Sequence, residues 1–316
     1  MSDSAHLLIP FASSPEPGCQ EALRGLTLPR LEQLLARLVP GESDAGSETS
    51  LSPPHERVLA RACGLATADG RIPWAAWQVK QDGRDPGDAA WARITPCHWR
   101  VGSDHVAMDD PAGLQLDEPE SRALLAVVRP FFEEDGIALE YSAPTLWLAR
   151  GESFRDFPAA SLERVIGRKV DDWLPRVAGA GPVRRLQQEV QMLLYTSEVN
   201  DERQQRGLLP VNSFWVSGTG ALPAGVTALP PSLTVADALR APALAGDWPA
   251  WAAAWRAIDG REGAALLQSL ADGRSVTLTL AGERGARSWS GSSGGWLRRI
   301  GGMFGGARAA TELEAL

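Results

Sequence analysis

Two arginines three residues apart, Arg203 and Arg206, stand in the stretch EVNDERQQRGLLPVNSFWVSGTG, with Asn200 before them and Asn212 after. Positions three apart on a helix share a face. Two guanidinium forks on one face suit a carboxylate or a phosphate. The run Ser217 to Gly220, SGTG, follows a β-like segment. As a tight loop it would turn backbone N–H groups toward an anion. If these pieces converge, Asn200, Arg203, Arg206, Asn212, Ser217, Gly218 and Gly220 make a pocket for a small phosphorylated or carboxylate ligand. Each piece also has a structural reading. Asn200 can cap a short helix, Gly207 can end it, and Asn212 can lock the Pro210 turn through an Asx-type bond.

A second cluster, His98, Asp104, His105, Asp109 and Asp110, lies within thirteen residues. Imidazole and carboxylate are ligands for zinc, iron or manganese. His98, His105 and Asp109 are the weak metal candidates, since two histidines seven apart across a strand–turn–strand match no ligand motif. The alternative is a pair of histidines hydrogen-bonded within a loop-rich surface. Cys97 adjoins His98, but neighbouring residues of a strand point to opposite faces, which speaks against a thiolate–imidazole pair. G-x-G-x-x-G and the P-loop pattern do not occur. No catalytic residue is assigned on these grounds.

The elements that must position these groups are partly readable. Leu31, Leu34, Leu35 and Leu38 follow helical spacing, with Pro29 in the first turn. The stretch 40–54, PGESDAGSETSLSPP, reads as an exposed linker. RITPCHWRVGSDHVAMDD predicts two short strands about a Gly-Ser-Asp turn. GIALEY and TLWLAR predict a hairpin, and PESRALLAVVRPFFEEDG a helix with Pro119 at its start. Val183, Leu186, Val190, Leu193 and Leu194 mark one face of an amphipathic helix ahead of the arginine motif. Interleaved strands and helices give an α/β class with a mixed sheet flanked by helices. Three regions are expected: residues 1–175, residues 176–285 carrying the arginine motif, and a Gly-rich basic tail over 286–316. The tail reads as a mobile terminus, or as a short amphipathic piece that docks on a membrane surface or a partner groove.

The 316 residues are 44% hydrophobic and carry a formal net charge of −8, which makes nucleic acid a poor default partner. Three scattered cysteines, Cys19, Cys63 and Cys97, form no CxxC pair and fit a reducing cytoplasm. No apolar run reaches the length of a membrane span, and the N-terminal LLIPFA is too short for a signal peptide. It reads as a first buried strand. Twelve tryptophans stand against two tyrosines, and core filling with loop cover is their expected use.

RRLQQEVQMLLYTSEVNDERQQRGLLPVNSFWVSGTG, with TPCHWRVGSDHVAM, GRKVDDWLP and the opening HLLIPFA, resembles the RpfE-type regulatory proteins of proteobacteria. The resemblance extends to about the SVTLTLAG strand. It implies a regulatory association with an unknown protein partner and no known reaction. The stretch from Asn200 to Gly220 is also similar to a segment of archaeal-type cofactor-independent phosphoglycerate mutases, which belong to the alkaline-phosphatase-like group. That similarity implies equivalent places for Asn200, Arg203, Arg206, Gly207, Asn212, Gly218 and Gly220, and a degenerate architecture of that group. The pattern departs where the mutases need metal. LLIPFASS stands in place of a DG-x-x-D motif, no DHS motif occurs, and Ser217 stands where an Arg usually precedes the Gly-x-Gly. Phosphoryl transfer without two metals loses its main charge stabilisation. The expectation is a non-catalytic cytoplasmic regulatory or partner-binding protein without a cofactor. The alternative is a divergent mutase-like phosphotransferase using Mn or Mg.

Overall fold

The computed structural model describes residues 4–65, 67–292 and 309–316. The chain forms two compact units, one of them discontinuous: unit 1 is Met1–Cys63 with Leu229–Leu316, and unit 2 is Gly64–Ala228. The boundary expected at 175/176 therefore falls inside unit 2. Hydrophobic periodicity marks elements but not which of them share a core, so a discontinuous unit leaves no trace along the sequence.

Unit 1 opens with β1 (Ser4–Ile9), α1 (Pro17–Arg24), α2 (Pro29–Arg37), β2 (Val39–Ala45) and α3 (Pro54–Ala62). Unit 2 follows with α4 (Trp74–Gln81), β3 (Ala90–Cys97), β4 (Trp99–Val101), β5 (Val106–Met108), α5 (Glu118–Glu134), β6 (Ala138–Ala143), β7 (Leu146–Arg150), α6 (Leu162–Val165), α7 (Gly181–Tyr195), α8 (Glu198–Gln205) and β8 (Ser213–Ala221). The return to unit 1 adds β9 (Leu233–Val235), α9 (Arg240–Ala245), α10 (Trp248–Ile258), α11 (Ala264–Ala271), β10 (Ser275–Ala281), β11 (Gly285–Gly291) and α12 (Ala309–Glu314). The class is α/β, with a mixed sheet flanked by helices.

In unit 1 the strand order is β2-β11-β10-β1-β9. β1 runs parallel to β9 and β10, and the other pairs are antiparallel. Strand alternation divides β1: Leu7 and Ile9 join a core with Leu31, Leu34, Trp251, Trp255, Leu278 and Leu280, whereas Leu8 packs on the opposite face with Val58 of α3. The tryptophans of α10 touch edge to face, with ring centroids 6.0 and 6.2 Å apart along Trp248–Trp251–Trp255. Two of their indole N–H groups donate to the segment after β1, Trp251 to the Phe11 carbonyl at 2.9 Å and Trp255 to the Ala12 carbonyl at 3.2 Å. Core filling is thus the use of these rings, with each buried donor satisfied.

Two stretches read as irregular are strands. Residues 40–45, expected within an exposed linker, lie in β2 and pair with β11, Ser43 opposite Arg287. β2 lies at the sheet edge with its side chains largely exposed, so only its backbone is used and no apolar alternation is needed. Asp44 anchors it: its carboxylate accepts from Arg57 Nε at 2.7 Å and also from Arg61 of α3. Burial alone would raise the Asp44 pKa, but hydrogen bonds and charge from Arg57 and Arg61 outweigh it and hold the group below its usual range. Residues 286–291, expected in the tail, belong to β11, with Trp289 buried in the core.

Unit 2 holds an antiparallel sheet of order β6-β7-β3-β8 and a separate β4–β5 hairpin. On one face, α5 and α7 bury Leu124, Val128, Phe132, Val183, Leu186 and Val190 against Ile94, Phe214 and Val216. On the other, α4 sets Ala75, Ala76 and Val79 against Trp91 and Leu148. Among the described residues no helix is long and apolar enough to cross a membrane.

Candidate functional site

The arginine motif occupies α8, the segment after it, and β8. α8 is polar, with Asn200 and Arg203 its buried residues. Asn200 is 3% exposed. Its amide donates to the carbonyls of Leu194 at 2.8 Å and Val211 at 2.7 Å, and its carbonyl accepts from Val211 N–H at 2.9 Å. The side chain thus ties the end of α7 to Val211, just ahead of β8, a use that needs an amide with both donor and acceptor.

Arg203 is fully buried. Its Nε donates to the Leu209 carbonyl at 3.0 Å, Nη1 to Glu120 Oε2 at 2.6 Å, and Nη2 to the Leu114 carbonyl at 2.5 Å. Arg206 Nη2 donates to the other oxygen of the same carboxylate. Glu120 therefore lies between the two guanidinium groups, its side chain 11% exposed against 0% for Arg203 and 51% for Arg206. The same Glu120 completes a capping box at the start of α5: Asp117 accepts from Glu120 N–H at 2.9 Å, and Glu120 accepts from Asp117 N–H at 3.3 Å. One carboxylate so serves a helix end and two cations.

Asn212 stands apart from this cluster. Its Oδ1 accepts from Trp99 N–H at 2.7 Å and its Nδ2 donates to the Trp99 carbonyl at 2.9 Å, a strand-like pairing made by a side chain. His98 Nδ1 donates to the Pro210 carbonyl at 2.8 Å, fastening the same junction from the other side. Ser217, Gly218 and Gly220 are not a loop. They lie within β8, where Ser217 pairs with Arg93 and Gly220 with Trp91 across a register shift. Gly218 has φ +60° and would place a Cβ 3.0 Å from Trp74 Cβ. Glycine is used here because the strand bulges while α4 comes within contact distance. Thr219 donates to the Phe157 carbonyl at 2.5 Å. The structure thus places Asn200 and Arg203 on α8 and Arg206 at its C-terminal cap, with Asn212 at the β3–β4 junction and the SGTG glycines against α4.

The metal candidates are held apart by their hairpin. His98 sits at its base, where its carbonyl accepts from Asp109 N–H at 3.0 Å. His105 lies at the tip, its Nδ1 donating to Asp104 at 2.8 Å. Three residue pairs separate the two positions, roughly 10 Å of strand. Asp109 accepts instead from Arg100 Nε at 3.0 Å. Cys97 is completely buried, and burial pushes its thiol well above the ordinary range; Cys19 is pushed up to about 11 by the same cause. Neither is disposed to act as a thiolate.

No family model and no curated protein matches the chain. Among solved structures it is similar to a cofactor-independent phosphoglycerate mutase from Thermoplasma acidophilum DSM 1728, at 14% identity and a TM-score of 0.40, over 98% of this chain and 94% of that one. It is also similar to the PH0037 protein from Pyrococcus horikoshii, at 12% identity and a TM-score of 0.49, over 92% and 87% of the two chains. Both are distant similarities of overall path.

Sequence reasoning missed Glu120, the residue that organises the arginines. Its local signal, Asp117-x-x-Glu120 ahead of an apolar helix, is a capping-box pattern. Nothing local announces its second use, because Arg203 and Arg206 lie more than eighty residues away.

Proposed function

We propose that the chain is a non-catalytic, cytoplasmic regulatory or partner-binding protein, and that the segment from Asn200 to Gly220 is its scaffold. The observation that carries this reading is the position of Glu120. Its two carboxylate oxygens take one guanidinium each, so the protein supplies the anion that a phosphorylated or carboxylate ligand would otherwise bring. A further anion there would meet like charge at short range in a largely desolvated place. The amides of Asn200 and Asn212 point the same way, since each has backbone partners for both donor and acceptor. The regulatory role rests on the resemblance carried by these same residues.

The test is chemical. Purified protein is analysed for metal, assayed for phosphoglycerate mutase and general phosphatase activity with added Mn²⁺, and titrated calorimetrically with phosphate and 3-phosphoglycerate. The expected result is no turnover and no saturable heat. Stoichiometric metal with turnover, or phosphate binding that Arg203→Met abolishes, would overturn the proposal and favour a divergent mutase-like phosphotransferase.

A further inference from the structure

Residues 309–316 return to unit 1. Ala309, Leu313 and Leu316 enter its core beside α1 and α2. Glu312 accepts from Arg287 Nη1 at 2.6 Å. The consecutive backbone N–H groups of Arg284 and Gly285 both donate to Leu316 O, each at 2.9 Å. The seat for Leu316 exists because position 282 is glycine: a Cβ there would lie 2.7 Å from Leu316 Cβ. The segment is thus held by three apolar side chains, one ion pair and one pair of backbone donors.

A six-residue helix is too short to persist on its own in water, so α12 gets its order from the seat. Spacing of the buried residues, Ala-x-x-x-Leu-x-x-Leu, is that of an amphipathic helix laid in a groove. The segment is joined to β11 through residues 293–308, which lie outside the described residues. We propose that the seat between α1, α2 and the β10–β11 turn is a peptide-docking groove, reversibly filled by the chain's own 309–316 segment. This goes beyond the function proposed above and stands without it. Because the segment belongs to the same chain, its competition for the seat is intramolecular and does not fall with dilution. An external helix of the same pattern therefore gains access chiefly when the resident segment is weakened.

The experiment uses the full chain and a fluorescein-labelled synthetic peptide of residues 309–316, read by polarisation. Wild type is compared with the Leu313→Ala/Leu316→Ala double variant. The double variant should bind the peptide at least about tenfold more tightly, because its own segment competes poorly. Adding Gly282→Val to that variant should abolish binding. Equal binding by wild type and double variant, or no binding by a double variant with native circular dichroism, would overturn the proposal. If the double variant does not fold, Glu312→Arg is used instead. It sets like charge against Arg287 and should tighten peptide binding in the same direction by a smaller factor, and unchanged binding would overturn the proposal.

Discussion

The Arg203–Glu120 pair gives the most informative perturbation. Arg203 is fully buried and Glu120 nearly so, which puts the pair among those where removing one partner costs about 3–5 kcal/mol. Glu120→Gln keeps size and an acceptor for the capping box but removes the charge, leaving the Arg203 guanidinium buried beside a neutral amide. Arg203→Met removes the charge and leaves the Leu114 and Leu209 carbonyls without this donor, about 1–3 kcal/mol each, partly offset by the apolar methionine. A loss of about 3–4 kcal/mol is expected for either single change. Because each change already breaks the shared contact, the double variant should fall well short of the sum, with a coupling of roughly 2 kcal/mol. Arg206→Ala should cost less than ~1 kcal/mol, since half of its side chain is in water. Urea unfolding followed by tryptophan fluorescence at pH 7 measures all four. A cost below ~1 kcal/mol for Arg203→Met would refute the scaffold argument.

Three further outcomes follow from the same geometry. Gly218→Ala should destabilise by more than the ~1–2 kcal/mol of a left-handed backbone alone, because its Cβ also meets Trp74. Gly207→Ala, with φ +73° and nothing within 4 Å, should show the backbone part only, and thermal melts of the two separate the contributions. His6 is hydrogen-bonded to Thr279, and burial lowers its pKa, so the folded state favours the neutral ring. Its contribution is full above the unfolded value near 6.5 and is lost as pH falls from there through the folded value. The urea midpoint should drop from pH 7.5 to pH 5, and His6→Asn should flatten that slope. Cys19, Cys63 and Cys97 are all shielded by burial, which raises each thiol pKa, so a thiol reagent at pH 8 should react with them only at the rate of unfolding.

Elements whose side chains must be apolar on one face were legible. The leucines of α2 and the Val183–Leu194 face of α7 bury as their spacing required. β2 was not legible, because an exposed edge strand needs only backbone partners and tolerates Gly, Ser and Glu. SGTG read as a turn because glycine signals positive φ in either setting; here the positive φ belongs to a bulge under α4. The motif's polar residues stand out by type and spacing. Their partners were hidden, since Glu120, Trp99 and the Leu114 carbonyl are brought in by tertiary folding.

The discontinuity of unit 1 bears on how the chain is made. β1 is synthesised more than two hundred residues ahead of its partners, since Ser4 pairs with Ser275 and His6 with Leu233. Its strand edges stay without these partners until β9 and β10 have been synthesised. Unit 2 is continuous and can close during that interval. Non-local strand pairing is slow. The closing of unit 1 should therefore be a late docking of β9 and β10 around an early strand, and the waiting β1 is the place where chaperones would be needed most.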